Sequence, residues 1–322
     1  AFEGCEGFDG QITIGTRLTT IGDSVFRNCK HLTGELNIPN QVTTIGNNAF
    51  RQCSNLNGAL HLPSNLKTIG DNAFFFCSKL TGDISIPEGV TSIGFQAFIE
   101  CTGFDGKLII PETVTNIGGS AFSGCTSLTG DLNIPSKITN IEDQTFSSLG
   151  CSGTLTFPTN LKTIGSRSFQ GTNFKCQLNL PQSLTTIKSS AFSSSSFTGN
   201  LNLPINLEII EYSAFRNCKG FTGSLTIPNK IKTISYEIFS DCSGFNGNLI
   251  LPTEITEIEN RAFYNCNRLK GTLLIPEKVT TIGHDSFFNC TSFTGSLRLP
   301  NSLATINNRA FSFCSGFQGD LN

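Results

Sequence analysis

Apolar side chains return along this chain in a fixed order. Starting at Leu36, the order is Leu36, Ile38, Val42, Ile45, Ala49, Phe50, Cys53 and Leu56, and polar or small residues fill the intervals. Leu36-Asn37-Ile38 alternates in-out-in, the pattern of a half-buried strand, and Pro39 ends it because proline cannot continue a hydrogen-bonded ladder. Val42-Thr43-Thr44-Ile45 is β-branched throughout and predicts a second short extended segment after a bend. Ala49, Phe50 and Cys53 have the spacing of one helical or 3₁₀ turn on the opposite side. Leu56 closes the core, and Gly58 turns the chain into the next strand.

The unit then repeats to the end of the chain. Prolines at 39, 63, 87, 111, 135, 158, 181, 204, 228, 252, 276 and 300 mark units of 23 or 24 residues. A period in this range with recurring Leu and Ile positions predicts a leucine-rich-repeat solenoid. The expected fold is therefore an α/β-type repeat solenoid with a continuous parallel β-sheet and short helical or 3₁₀ turns opposite it. About thirteen repeats would form one domain over residues 1–322, since each coil of a solenoid needs only its neighbours. Terminal repeats usually differ from the interior so as to cover the open core, yet Ala1-Phe2-Glu3-Gly4-Cys5 and Gly319-Asp320-Leu321-Asn322 match the interior units. The expectation is of cut repeats with no visible caps.

Two positions carry further information. A phenylalanine stands at the same place in every unit, from Phe2 and Phe26 to Phe287 and Phe311, which predicts a buried ladder of rings stacked coil on coil. Eleven of the 13 cysteines also share one position, three residues after that Phe. Cysteine is missing there only after Phe146, Phe169 and Phe192, where the step from the ring to the next core residue shortens from six residues to five. The thiol therefore belongs to the longer turn, as a small buried apolar group. Parallel in-register cysteines point the same way, which disfavours bridging. Cys151 and Cys176 lie outside the ladder, and a strained bridge between them is left open. The glycine after the second segment, as in Gly46, is matched elsewhere by Glu142, Lys188 and Glu211, so negative φ is expected there.

Composition narrows the function classes. Net charge is −2, from 22 basic and 24 acidic residues without blocks, so no nucleic-acid surface and no polybasic membrane patch is indicated. The longest apolar runs, such as Leu108-Ile109-Ile110, are far short of the roughly 20 residues a membrane helix needs. No C-x-x-C occurs, and His31, His61 and His284 are scattered, so no metal is implied. Phosphate-binding and dinucleotide glycine patterns are missing, and carboxylates fall on variable positions. No catalytic residue and no cofactor is expected.

Units such as LTGDISIPEGVTSIGFQAFIECTGF (80–104) and FTGSLTIPNKIKTISYEIFSDCSGF (221–245) resemble the BspA-like, or Treponema-type, leucine-rich repeats of surface proteins from host-associated bacteria and protozoan parasites. The resemblance spans the whole chain. It implies a non-catalytic cell-surface or secreted protein that binds host or microbial macromolecules, protein or glycan, in adhesion. No invariant binding motif accompanies it, so candidate contacts come from the repeat itself. The middle residue of each Leu-x-Ile segment should face solvent. Most are small and polar, and His61, Ile109, Ile250, Leu274 and Arg298 depart from that and form the candidate binding face. On the turn side the off-pattern rings Phe76, Tyr264 and Phe288 are candidate lateral contacts between solenoids. They support an alternative reading, a structural protein whose solenoids join end to end or side by side.

Overall fold

The computed structural model describes residues 1–321 and divides them into two compact units. The first comprises residues 1–160 with 172–174, and the second residues 161–171 with 175–321. Each is a parallel-strand β-solenoid built from two-residue strands.

In the first unit the longer ladder lies on the second extended segment. Strands Thr20–Ile21, Thr44–Ile45, Thr68–Ile69, Ser92–Ile93 and Asn116–Ile117 pair in that order, in register, isoleucine inward. The Leu-x segments form pairs instead: Leu36–Asn37 with Leu60–His61, Ile84–Ser85 with Leu108–Ile109, and Leu132–Asn133 with Leu155–Thr156. Between these pairs the contact shifts by two residues, to the bridges Ala59↔Thr81 and Lys107↔Thr129. The expected continuous sheet on Leu-x-Ile is thus interrupted.

The corner glycines explain the interruption. Gly34, Gly82 and Gly130 follow threonine and adopt φ near +80°, which glycine reaches without a Cβ clash. Gly58 and Gly106 follow Asn57 and Asp105 and keep negative φ. Those side chains accept hydrogen bonds from Gly34 N (2.7 Å) and Gly82 N (2.8 Å) of the coil before. Two corner geometries therefore alternate, and the sheet alternates with them.

The expected helical turn opposite the sheets is absent among the described residues. In its place the backbone passes twice per coil through the left-handed region, at Asn48 (φ 56°) and Gln52 (φ 60°) and their equivalents. These residues turn their N–H groups along the stack: Asn48, Phe50 and Gln52 donate to Asp71, Ala73 and Phe75 of the next coil at 2.7–2.8 Å. Ala49, Arg51 and Cys53 close i→i−3 turns within their own coil. The short spacing that reads as a helical turn in sequence is satisfied by this alternation, because half of its donors bond between coils. The glycine after the second segment has negative φ, as expected. Its lack of a side chain serves close approach: at Gly70 a Cβ would meet Gly46 C at 2.6 Å.

Phenylalanine forms the core of each unit. In the first, Phe50, Phe74, Phe98 and Phe122 are fully buried and stack with centroids 5.0–5.5 Å apart. In the second, the rings from Phe169 through Phe192, Phe215, Phe239, Phe263 and Phe287 to Phe311 stack at 5.2–6.0 Å. A second aromatic row, Phe221, Phe245 and Phe293, meets this spine edge-on.

All thirteen cysteines are free thiols; Cys151 is buried and Cys176 half-buried. Ladder thiols are more than apolar filler. From Cys29 onward each ladder S–H points at the carbonyl of the spine Phe one coil back, Cys53 to Phe26 and Cys101 to Phe74 at 3.0 Å, Cys242 to Phe215 at 2.9 Å. That carbonyl also accepts its own coil's Cys N–H. Where the turn is short, buried Leu149, Thr172 and Ser195 take the position. Burial pushes the ladder thiols from Cys29 onward away from ionisation, Cys53 from the ordinary 9.0 to about 12, and the neighbouring Cys29 adds to the effect.

Candidate functional site

The strands aim alternate side chains at core and solvent, so the outward residue of Leu-x is exposed by construction. In the first unit His61 and Ile109 both stand on this face, in different surroundings. His61 pairs with Asn37 across the strands, and its Nε2 lies 3.8 Å from Glu35 Oε2. It lines a shallow groove of about 390 Å³ with Ser85, Pro87 and Glu88. Ile109, 45 % exposed, is paired with Ser85, and the same position one coil on holds Asn133. Its groove, about 310 Å³, is walled by Lys107, Asp131 and Asn133. The two residues are not brought together, and Ile109 is a single aliphatic among polar neighbours.

The second unit concentrates what the first disperses. Thr226 pairs with Ile250, and Leu274 pairs with Arg298, so Ile250, Leu274 and Arg298 occupy the same position of three successive coils. Ile250 is 51 % and Leu274 65 % exposed, and Arg298 is exposed beside them. Arg298 forms no ion pair among the described residues. This face therefore presents two aliphatic side chains in successive coils, the second paired in register with a cation that forms no ion pair among the described residues.

The turn side presents a different arrangement. In the second unit Tyr264 and Phe288 stack at 5.0 Å, and Phe313 meets Phe288 edge-on at 5.1 Å. Beside them runs an ion ladder that the sequence reading missed. Glu237 and Asp285, both almost fully buried, alternate with half-exposed Arg216, Arg261 and Arg309. Arg309 holds Asp285 through two bonds, 2.8 and 3.0 Å, and caps Phe288 at 5.0 Å. These bonds hold the Asp285 carboxyl below the usual carboxylate range. Tyr236 donates its hydroxyl to Glu237 at 3.1 Å. The members Glu237, Arg261, Asp285 and Arg309 all occupy the first left-handed position of their coils. Alternating charge at that position was the legible signal. Because each carboxylate is already matched by guanidinium groups, the ladder fastens one coil to the next.

In the first unit Phe76, 42 % exposed, has φ 56° and touches Phe75 at 5.0 Å. Arg51 lies over Phe75 at 4.0 Å. Phe76 is thus an exposed aromatic, on a different unit from Tyr264 and Phe288, which are half-buried.

Among the described residues no group of three or more His, Cys, Asp or Glu side chains is placed to hold a metal ion, and no helix is long and apolar enough to cross a membrane.

Solved structures share this architecture. A leucine-rich repeat protein from Bacteroides ovatus superposes with TM-score 0.60 at 24 % identity, over 96 % of this chain and 81 % of that one. A leucine rich cell surface protein from Faecalibacterium prausnitzii gives 0.56 at 25 % identity, over 97 % and 88 %. A leucine-rich repeat protein from Eubacterium ventriosum gives 0.55 at 20 % identity, over 95 % and 88 %. No curated protein sequence matches the chain significantly. The model of the BspA type leucine rich repeat region matches residues 1–105, 80–198, 106–222 and 221–318, and the chain therefore belongs to the BspA-type leucine-rich-repeat family.

Proposed function

We propose that this protein is a non-catalytic recognition protein, displayed at a cell surface or secreted, which mediates adhesion by engaging protein or glycan partners on host or microbial surfaces. The observation that carries the reading is the strand-lined face of the second unit, where Ile250 and Leu274 stand exposed in successive coils beside Arg298. Exposed aliphatics in adjacent positions make a patch rather than the scattered singles found on any surface. The similarity to a leucine rich cell surface protein supports the location. Repetition supports the mode, since many modest contacts add through effective concentration when copies are displayed together.

The test is attachment of protein-coated beads to cultured epithelial cells and to a panel of immobilised matrix glycoproteins. Ile250→Asp with Leu274→Asp should abolish attachment to whichever surface the unaltered protein holds, with Tm nearly unchanged. Attachment that survives both changes overturns the reading.

A second reading is favoured by the aromatic group Tyr264, Phe288 and Phe313 on the turn side. Here the protein is structural, and its solenoids associate with further copies into fibres or a surface layer. It predicts ordered assemblies of the purified protein that disappear on changing Phe76, Tyr264 or Phe288 while the strand-face variant still assembles.

A further inference from the structure

We propose that the Ile250–Leu274–Arg298 row takes an extended acidic peptide segment, one that sets a carboxylate next to a pair of apolar side chains. The inference rests on the recognition reading of this face and names its partner chemistry. Three observations point to that class. First, Leu274 and Arg298 are Cα partners in register, so the aliphatic surface runs directly into the guanidinium. A ligand that covers Leu274 must place something against Arg298.

Second, Arg298 is uncompensated. Arginines on the turn side of the same unit are matched by Glu237 and Asp285, whereas Arg298 has no carboxylate within ion-pair distance among the described residues. A planar guanidinium with its donors free is a carboxylate receptor: an apolar or cationic partner would leave those donors unpaired, and a neutral carbonyl would pair them more weakly than a carboxylate does. Third, the row in this unit, Asn179, Asn202, Thr226, Ile250, Leu274 and Arg298, carries no aromatic ring. A neutral sugar ring gains from a flat aromatic face against its C–H groups, and aliphatic side chains flanked by an arginine offer none. Leucine-like side chains on a peptide fill the space over Ile250 and Leu274 and leave the carboxylate for Arg298.

The corresponding row of the first unit lacks these features. His61 already faces Glu35, and Ile109 stands alone between Ser85 and Asn133. It provides an internal control on the same chain.

The experiment measures binding of three blocked, fluorescently labelled peptides to the full chain by anisotropy. Each carries a central leucine pair, flanked by glutamates, glutamines or lysines. The expected order is glutamate over glutamine over lysine at low salt, with steps of roughly threefold for an exposed charge. High salt should collapse the order. Arg298→Glu should invert it, Leu274→Asp should abolish binding of all three, and Ile109→Asp should change nothing. Failure of the glutamate peptide to bind, an order that survives in Arg298→Glu, or binding that ignores Leu274→Asp overturns the proposal. A sulfated glycan that binds through Arg298 but is indifferent to Leu274→Asp also overturns it. The adhesion reading fails separately, when bead attachment is unaffected by the Ile250 and Leu274 changes. Attachment that needs those aliphatics yet tolerates Arg298→Glu sinks only the acidic partner.

Discussion

Replacing the Cys101 thiol tests whether the cysteine ladder is held by packing or by its donor. Cys101 is fully buried, and its Sγ lies 3.0 Å from the carbonyl oxygen of Phe74. That oxygen already accepts Cys77 N–H at 3.0 Å, so losing the thiol does not orphan it. Cys101→Ala therefore removes a group close to a methylene in size, about 0.8 kcal/mol, and one weak hydrogen bond at the low end of about 0.5–1.5 kcal/mol. Together these come to about 1.3 kcal/mol. Cys101→Ser loses the size but keeps a donor aimed at the same oxygen, and should cost about 1 kcal/mol, no more than alanine. If the thiol were only apolar filler, serine would add the cost of burying an unsatisfied hydroxyl, about 1–3 kcal/mol beyond alanine. The two accounts differ in sign. Urea unfolding followed by far-UV circular dichroism, with hydrogen exchange of Cys77 N–H and its neighbours as the local readout, decides between them. Serine clearly worse than alanine refutes the donor reading. Ser195, buried at the equivalent position of a short turn, places its Oγ 3.4 Å from Cys218 Sγ.

Alkaline pH should unfold the protein through the same thiols. Their folded pKa lies above the ordinary 9.0, about 12 for Cys53 and about 11 for Cys218 and Cys314, so stability is full below pH 9 and falls as pH rises toward 12, because only the unfolded state ionises. A pH titration of Tm that stays flat over this window would contradict it. Phe122→Ala removes a fully buried ring stacked on Phe98 at 5.5 Å and Phe146 at 5.9 Å, and should cost roughly 3–5 kcal/mol. A loss under about 0.5 kcal/mol in urea unfolding, the size expected of an ordinary surface change, would remove the ring spine from the account. Asp285→Asn should weaken the stack locally and remove a stability loss at acid pH. The carboxyl's lowered pKa supplies stability above the ordinary carboxylate range that disappears as pH falls through the folded value, and equal acid sensitivity in the variant would show the ladder to be idle. Phe76→Asn should raise stability by about 0.5–1 kcal/mol, since asparagine tolerates φ 56° better than phenylalanine. A fall in Tm would mean that the contact with Phe75 outweighs the strain.

What the sequence made legible is what one coil imposes on the next. Phe50, Ile45 and Leu36 recur because a ring or branched chain must meet its copy one coil on, and such residues have no substitute that keeps the volume. Backbone conformation was less visible. The left-handed positions hold Asn48, Asn72, Gln96, Ser120, Arg167 and Glu237, a set too mixed to be recognised without knowing that their N–H groups must turn along the stack. A trace did exist in Asn28, Asn217, Asn265 and Asn289, with Gly124 and Gly171 at the second of these positions. Helical spacing hid it, because i→i−3 turns give the same apolar intervals as a helix. The donor role of the thiols was hidden for a related reason, since a hydrogen bond between residues 27 apart leaves no local pattern.

Candidate contacts were legible only as departures from the repeat, and the structure sorts those departures by their neighbours. Ile109 and Leu274 break the same rule, yet Ile109 is paired with Ser85 while Leu274 is paired with Arg298. A period shows that a side chain faces outward. The pairing register shows what stands next to it. Inward positions fix the backbone grid through Phe rings, Ile ladders and thiol donors, so an outward residue changes neither the path of its coil nor the core beneath it. Tyr264 and Phe288 differ, because their rings are half-buried against each other and against Arg261 and Arg309. A change there disturbs the ion ladder as well as any lateral contact. Loss of assembly in a Tyr264 or Phe288 variant therefore counts for the structural reading only when Tm is kept, whereas loss of attachment in Leu274→Asp has no such route through stability.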